Sequence, residues 1–306
     1  MSDYLHKERP PVPEVEGWLA AHHKAPVFAV APVRGGYWSS AWSYRSDDID
    51  LILRLGDNDH GYRIDEAAHS FATAGIPVPQ VLYVGDALGK AAAISRRHFG
   101  SFVEEAELPE ASQVGTALTD LMMRMRTVAP REVEWHQPVG GTGDWRSWLA
   151  RYLPVPTAID QEWSMACATH AELQRTRDQA VEVIVDWLPQ CPERRDLIHR
   201  DLLHQNVLIE GDAITGIFSW KHSLFGDFLY DVAACSLWGA WHPGVEAADM
   251  WNRMQDAASS DDLIDAEQRH WTYQLHIAVE HLYWYVMTNN DKELQRLLNV
   301  MTPLLA

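Results

Sequence analysis

The chain has 306 residues, which is enough to bury a large core and suits either two domains or one unit with two lobes. It carries 43 acidic against 25 basic residues, a formal net charge of -18. Nucleic-acid binding is disfavoured, because phosphate contacts need clustered Lys and Arg, whereas a cationic small molecule is easily accommodated. A negative surface can also serve solubility alone, so the charge by itself does not choose between these explanations.

No apolar run approaches the roughly 18 residues that a membrane span requires, and the first residues have no signal-peptide core. We therefore expect a cytoplasmic protein without a membrane partner. The three cysteines are odd in number and far apart, which predicts reduced thiols rather than a disulfide framework or a zinc site. The oligomeric state is left open.

The first third of the chain predicts a small sheet with one helix. A leading helix over residues 14–23 precedes a strand at 27–33 and a turn at Gly35 and Gly36. The apolar strand at 51–55 contains one cation, Arg54, which needs a carboxylate partner if it is buried. The following helix, expected between residues 62 and 74, offers Glu66 as the preferred partner and Asp65 as its rival.

The remainder of the chain predicts a mostly helical region. A strand is expected within residues 91–100. Apolar residues then recur at helical spacing. The predicted helices cover 112–128, 163–173, 179–188 and 275–287, with another that begins at Trp145 after a loop at 138–144.

Between these helices, residues 196–220 have the residue spacing of a phosphoryl-transfer centre. Two β-branched strands, 206–209 and 213–218, are joined at 210–212. Asp201 could accept the proton of a substrate hydroxyl, and the amide oxygen of Asn206 could bind magnesium. Alone, this HxDxxxxN spacing would more often be a helix-capping Asp beside a solvated Asn. The hairpin that follows it favours the catalytic interpretation.

The segment resembles the aminoglycoside phosphotransferase family, and within it hygromycin B phosphotransferase. The residues that carry the resemblance are His199-Arg200-Asp201, Asn206, Phe218-Ser219-Trp220, Gly226-Asp227 and Tyr230-Asp231. The resemblance implies an α+β, bilobal protein-kinase-like fold, with a small antiparallel-sheet N-lobe (1–99) and a larger, mostly helical C-lobe (100–306). It also implies an enzyme that uses Mg²⁺ to transfer the γ-phosphate of ATP or GTP to a hydroxyl of a cationic, aminocyclitol-like substrate.

The same resemblance implies roles for individual residues. Asp201 would be the catalytic base, and Arg54 would bind the nucleotide phosphates under a glycine-containing loop. The implied set is Arg54, Glu66, Gly36, Ser39, Ser40 and Arg97 for the nucleotide, Asn206 and Ser219 for the metal, and Asp201, Trp238, Trp241 and Glu280 for the substrate.

The last third of the chain is rich in aromatic residues with acids interleaved. Trp238 and Trp241 could stack on a sugar or meet an ammonium group, and Glu280 could pair with an amine. The alternative is that most of these rings fill a helical core. The histidines lack the compact spacing of a transition-metal site.

Ser219 departs from the family pattern, which has a metal-binding aspartate at this position. A serine hydroxyl is neutral, so metal binding should weaken; whether Asp227 could replace the missing ligand is left open. A second hypothesis follows, in which the chain has a kinase fold but does not transfer phosphate, serving as a binding module or a repurposed natural-product enzyme. Ser219 and the bulky Arg200 favour it, whereas Asp201 and Asn206 favour the kinase.

Overall fold

The computed structural model describes residues 9–34, 39–129 and 144–306. The chain divides into two compact units. The first comprises Met1–Val103 and His204–His222, and the second comprises Glu104–Leu203 and Ser223–Ala306. The predicted division at 99/100 lies close to the first of these boundaries. The hairpin segment, however, belongs to the first unit, although the prediction placed it in the C-lobe.

The elements are as follows in chain order. The strands are β1 (Val27–Val33), β2 (Ser40–Ser46), β3 (Ile49–Gly56), β4 (Val81–Ala87), β5 (Lys90–Arg96), β6 (Ser101–Phe102), β7 (Asp196–Ile198), β8 (Val207–Glu210), β9 (Ala213–Ile217) and β10 (Leu224–Gly226). The helices are α1 (Val12–His22), α2 (His60–Ala68), α3 (Ala111–Met125), α4 (Trp145–Arg151), α5 (Asp160–Thr169), α6 (Leu173–Trp187), α7 (Leu229–Gly239), α8 (Pro243–Ala248), α9 (Met250–Ala257), α10 (Ala266–Met287) and α11 (Asp291–Leu304).

The first unit is built on an antiparallel sheet with the strand order β1-β2-β3-β5-β4. Alternation along β3 buries Leu51, Leu53 and Leu55 on one face, where α1 packs with Val15 and Leu19. Arg54 consequently points to the opposite face of the sheet, which is the face that matters for the candidate site.

The hairpin β8–β9 joins this unit through backbone hydrogen bonds. Strand β6 pairs with β8, and Ile217 N donates to Pro77 O at 3.1 Å. Trp220 is fully buried and packs against Phe71 with ring centroids 4.9 Å apart. These long-range contacts place the hairpin with the first compact unit.

The second unit is mostly helical and is organised around α10, which contacts α5, α6, α7 and α11. The short strands β7 and β10 form an antiparallel pair within it. The predicted helices 163–173 and 179–188 correspond to α5, which ends at Thr169, and α6, which begins at Leu173. His170 takes an extended conformation between the two helices and ends α5 earlier than predicted. The predicted α+β class is confirmed. In the described ranges, none of the helices combines the length and apolar character that a bilayer crossing demands.

Candidate active site

Arg54 of β3 has the carboxylate partner that its apolar strand requires. Its Nη1 donates to Asp65 Oδ2 at 2.6 Å, and its guanidinium lies 4.9 Å from the centre of the Tyr62 ring. Both side chains are largely buried. The hydrogen bond between them joins two charged groups, which makes it stronger than a hydrogen bond between neutral groups. The first unit therefore presents one anchored cation on the face of the sheet opposite α1.

The prediction that Glu66 pairs with Arg54 is wrong. On α2 the buried positions are Tyr62, Asp65 and Ala68, which share one face, whereas Glu66 is exposed. Consecutive helical residues are turned by roughly 100° about the axis, so a shift of one residue moves a carboxylate away from the sheet. Asp65, the rival candidate, is the partner.

Asp65 also holds the end of the hairpin. Its second oxygen, Oδ1, accepts a hydrogen bond from the backbone N–H of Trp220 at 2.9 Å. Ser219, the residue before Trp220, has a left-handed backbone with φ of 65°. The backbone N–H of Phe218 donates to Asn206 O at 2.9 Å. One buried carboxylate thus links Arg54 to the segment that carries the two predicted metal positions.

Those two positions supply only neutral donors. Asn206 offers an amide oxygen and Ser219 a hydroxyl, while Mg²⁺ sites typically use one or two carboxylates together with phosphate oxygens. Across residues 9–34, 39–129 and 144–306, no group of three or more His, Cys, Asp or Glu side chains could hold a metal ion. The residues present therefore fit Mg²⁺ poorly as a protein-built site.

The other residues predicted for the nucleotide differ in their surroundings. Ser39 lies beside Tyr62, whose pKa burial raises above its usual value. Ser40 is buried in β2 opposite Leu55, which counts against a hydroxyl contact with a phosphate. Arg97 is half-buried, with its guanidinium 4.8 Å from the Phe99 ring centre. Gly36 lies outside the described residues.

In the second unit, the loop after β7 is held by Asp231 of α7. Its Oδ2 accepts from His199 N at 2.8 Å and its Oδ1 from Arg200 N at 2.7 Å. Burial raises the pKa of Asp231, although these hydrogen bonds and neighbouring positive charge act in the opposite direction. The carboxylate therefore fixes the backbone that leads into Asp201. The sequence indicated Asp231 only as part of the family resemblance, because backbone contacts leave no side-chain signal.

Asp227 is not available as a substitute metal ligand. Its fully buried carboxylate accepts two hydrogen bonds from Arg269, at 2.7 and 2.8 Å, and one from the Tyr273 hydroxyl at 2.9 Å. The backbone N–H of Leu229 also donates to it at 3.1 Å. Moving this carboxylate toward a metal would leave the Arg269 guanidinium buried without its charge partner.

Glu280 of α10 is already paired. Nη2 of Arg200 donates to both of its carboxylate oxygens, at 3.1 and 2.9 Å. Burial acts to raise the pKa of Glu280, but the Arg200 guanidinium outweighs burial and holds that pKa below its usual value. The predicted contact between Glu280 and a substrate amine would have to compete with this ion pair.

The two tryptophans predicted for the substrate have protein partners. Trp238 is only 4% exposed and packs against Trp241 and His281, with ring centroids 5.1 and 4.6 Å away. A buried ring cannot offer a face to a ligand, so the substrate role predicted for Trp238 is wrong. Trp241 is half-buried, donates to Glu293 Oε2 at 2.7 Å, and has the Arg296 guanidinium 4.6 Å from its ring centre.

Together, a five-stranded sheet bearing an arginine–carboxylate pair and a helical unit bearing an anchored His-Arg-Asp loop define a kinase-like phosphotransferase. Residues 29–268 match the phosphotransferase enzyme family, and the chain belongs to that family. The predicted family, fold class and enzyme class are confirmed, and the predicted function as a small-molecule phosphotransferase is confirmed at the level of the family.

One curated relative is hygromycin-B 4-O-kinase of Escherichia coli. It is 25% identical over 261 residues, which are 83% of this chain and 74% of the relative. A solved structure of the aminoglycoside phosphotransferase APH(4)-Ia, a thermostable mutant in ternary complex with AMP-PNP and hygromycin B, superposes with a TM-score of 0.79 at 22% identity, covering 95% of this chain and 98% of that one.

A more distant relation is also visible in the fold. Spectinomycin phosphotransferase, solved in complex with ADP and spectinomycin, has a TM-score of 0.61 at 12% identity and covers 97% of this chain and 95% of its own. At such identity the likeness concerns the fold alone.

Proposed function

We propose that the protein transfers the γ-phosphate of ATP or GTP to a hydroxyl of a cationic, aminocyclitol-like small molecule. In this proposal Asp201 takes the proton of the acceptor hydroxyl as that oxygen attacks, and Arg54 binds the phosphates of the nucleotide. Arg97 and Ser39 contact other parts of the nucleotide. Transfer would confer resistance where the acceptor is an aminoglycoside antibiotic, and we propose that it takes place in the cytoplasm.

The observation that carries the proposal is the anchoring of the His199-Arg200-Asp201 loop in a chain of this family. Asp231 accepts hydrogen bonds from the N–H groups of His199 and Arg200 and so holds the backbone immediately before Asp201. A proton acceptor is useful in catalysis only when it is held in place, since misplacement of about 1 Å can cost about 10²-fold in rate. The Asp65 link between Arg54 and Trp220 supports a phosphate-binding role for Arg54 in the same way.

The substrate class is supported by the relatives and by charge. The matched relatives include a hygromycin-B 4-O-kinase and proteins solved with hygromycin B or spectinomycin. The chain carries a net charge of -18, which favours the approach of a polyamine-like acceptor. ADP and AMP-PNP in the related structures support ATP, and a GDP complex of aminoglycoside 2'-phosphotransferase-IIIa supports GTP.

Magnesium belongs to the proposal only through Asn206 and the nucleotide. When bound, a divalent cation would neutralise charge on the transferred phosphoryl group. Asn206 is the protein ligand predicted for it, and Ser219 adds a hydroxyl in place of the expected carboxylate. This donor set is neutral and fits a divalent cation poorly.

The direct test is incubation of the protein with hygromycin B and either ATP or GTP, with Mg²⁺ present, followed by mass spectrometry of the antibiotic. A mass increase of one phosphoryl group is expected, and spectinomycin and kanamycin serve as comparison acceptors. If no acceptor gains phosphate while the folded protein still binds nucleotide, phosphotransfer to this class of substrate is rejected.

A second candidate, a nucleotide- or ligand-binding protein that does not transfer phosphate, is favoured by Ser219. The hydroxyl at this position provides no negative charge, and Asp227 is held by Arg269 and cannot supply it. Thermal shift tests the ligand-binding form of this candidate, because a ligand that binds only the folded state raises the melting temperature. Stabilisation by hygromycin B without any stabilisation by ATP and Mg²⁺ would support the second candidate.

A further inference from the structure

Arg200 occupies an unusual backbone position for a residue with a long side chain. Its φ is 70°, in the left-handed region that L residues other than glycine rarely adopt because the Cβ crowds the backbone. Such a conformation persists only where neighbouring contacts impose it. At Arg200 they begin with the backbone N–H, which donates to Asp231 Oδ1 at 2.7 Å.

The side chain of Arg200 is held from two further directions. It is only 10% exposed, and its Nη2 donates to both oxygens of Glu280 on α10. Its guanidinium lies 4.3 Å from the centre of the Trp148 ring on α4, a distance typical of a cation–π contact. An arginine whose planar guanidinium both stacks on an aromatic ring and pairs with a carboxylate is not replaced equivalently by lysine.

Three helices therefore converge on one loop residue: α7 through Asp231, α10 through Glu280 and α4 through Trp148. The residue that follows is Asp201, the proposed base. Loss of the guanidinium would leave Glu280 without its charge partner and would release two of the three contacts that define where the loop lies, those to Glu280 and Trp148. The side-chain contacts thus determine the orientation of the peptide that carries Asp201.

We infer that Arg200 is a positioning residue for Asp201, acting through Glu280 and Trp148. In this inference the carboxylate of Glu280 pairs with Arg200 and does not bind a substrate amine. This inference deepens the proposed function and, in its kinetic part, rests on it. Glu280 is 27% exposed, so it can still accept a hydrogen bond from a neutral donor, but its charge is already compensated.

The kinetic test compares Arg200→Ala, Arg200→Lys, Glu280→Gln and the double variant Arg200→Ala/Glu280→Ala, with hygromycin B and ATP as probes. We expect kcat to fall on the order of 10- to 100-fold in each, with KM for hygromycin B little changed. The double variant should be no worse than Arg200→Ala alone, since the two side chains act as one unit. A Glu280→Gln variant with raised KM and unchanged kcat would overturn the inference.

A matched control is Arg177→Ala. Arg177 lies in the same unit, is 15% exposed, and donates to the Tyr283 hydroxyl on α10 at 2.9 Å, but it does not contact the loop. It should lower stability while leaving kcat unchanged. An equal loss of kcat in Arg177→Ala would mean that any weakening around α10 has the same effect, and the specific role of Arg200 would be rejected.

A second readout does not depend on activity. Hydrogen–deuterium exchange of the amides of residues 199–203 should be faster in Arg200→Ala and Glu280→Gln than in the wild type or Arg177→Ala. Should the wild type transfer no phosphate, the proposed function fails, and this exchange pattern still decides whether Arg200 holds the loop. Unchanged exchange in both variants overturns the inference. If Arg200→Ala does not fold, the isosteric Glu280→Gln variant decides alone.

Discussion

The loop after β7 and the segment that ends at Trp220 are both held by a buried carboxylate that accepts backbone N–H groups. Asp231 serves the loop and Asp65 serves the segment. Their predicted site residues differ in charge, because Asp201 in the loop is a carboxylate, whereas Asn206 and Ser219 in the segment are neutral. The carboxylates that hold the backbone are thus distinct from those that could act on a ligand. The residues that hold the backbone are therefore different from the two predicted metal positions, so a change at Ser219 should leave the scaffold intact.

We expect the largest loss of activity from a change at Asp201, the carboxylate of the loop. Asp201→Asn removes the proposed proton acceptor without changing the size of the side chain, so transfer to hygromycin B should fall by about 10²- to 10⁴-fold. The melting temperature should change little. Turnover measured by coupled nucleotide assay checks this, and near-normal turnover would remove Asp201 from the mechanism.

Asp227→Asn tests whether this buried carboxylate is structural. The variant leaves Arg269 buried without a charge partner, and the free energy of unfolding should fall by about 3–5 kcal/mol. Urea denaturation measures the loss. The control is Asp48→Asn, a fully exposed turn position that should stay within about 0.5 kcal/mol of the wild type. Normal stability with weakened metal-dependent nucleotide binding would instead indicate that Asp227 is a ligand.

Asp65→Asn separates the two oxygens of the carboxylate that holds the Trp220 segment. The amide oxygen can still accept from Trp220 N, but Arg54 loses its ionic partner, at a cost of about 1–3 kcal/mol and a higher KM for the nucleotide. Glu66→Gln, one residue along the same helix, should stay within about 0.5 kcal/mol. The pairing seen in the structure would be contradicted if the two variants behaved alike.

Ser219→Asp places a carboxylate at the predicted metal position where the family pattern has one. We expect nucleotide affinity in the presence of Mg²⁺ to rise by about tenfold, which corresponds to about 1.4 kcal/mol. Isothermal titration with and without Mg²⁺ measures this. Ser219→Asn is the matched control, because Asn also tolerates the left-handed backbone but carries no charge. A similar gain in both variants would show that charge is not the limiting property.

Acidification tests the scaffold near the loop. Burial lowers the pKa of His276 to about 4, and the neutral ring is hydrogen-bonded to Leu149 O at 3.0 Å and to the Tyr230 hydroxyl at 3.0 Å. The unfolded chain takes up the proton near pH 6.5, so stability is complete above that pH and falls as the pH drops toward 4. About 1 kcal/mol should be lost at about pH 5.5. Urea denaturation at about pH 7.5 and about pH 5.5 measures it, and His276→Gln should reduce the difference.

Much of this arrangement could be predicted because it depends on local pattern. A single cation in an apolar strand requires a partner, and this requirement correctly indicated that Arg54 pairs with a carboxylate on the next helix. The phase of α2 decided between Asp65 and Glu66, and loop lengths uncertain by one residue cannot determine that phase. Trp238 illustrates the same limit, since an aromatic residue in a helix has the same composition signal whether it faces a ligand or the core.

The order of residues alone was enough to predict the family, the α+β class, the hairpin after Asn206 and the absence of the expected carboxylate at Ser219, since these depend on spacing and residue type. Only the folded structure decided that Asp65 bridges Arg54 and Trp220. It also decided that Asp227 pairs with Arg269 and that Glu280 pairs with Arg200. Each of these pairs joins residues far apart in the chain, and burial of a charge makes the choice of its partner a property of the packed interior.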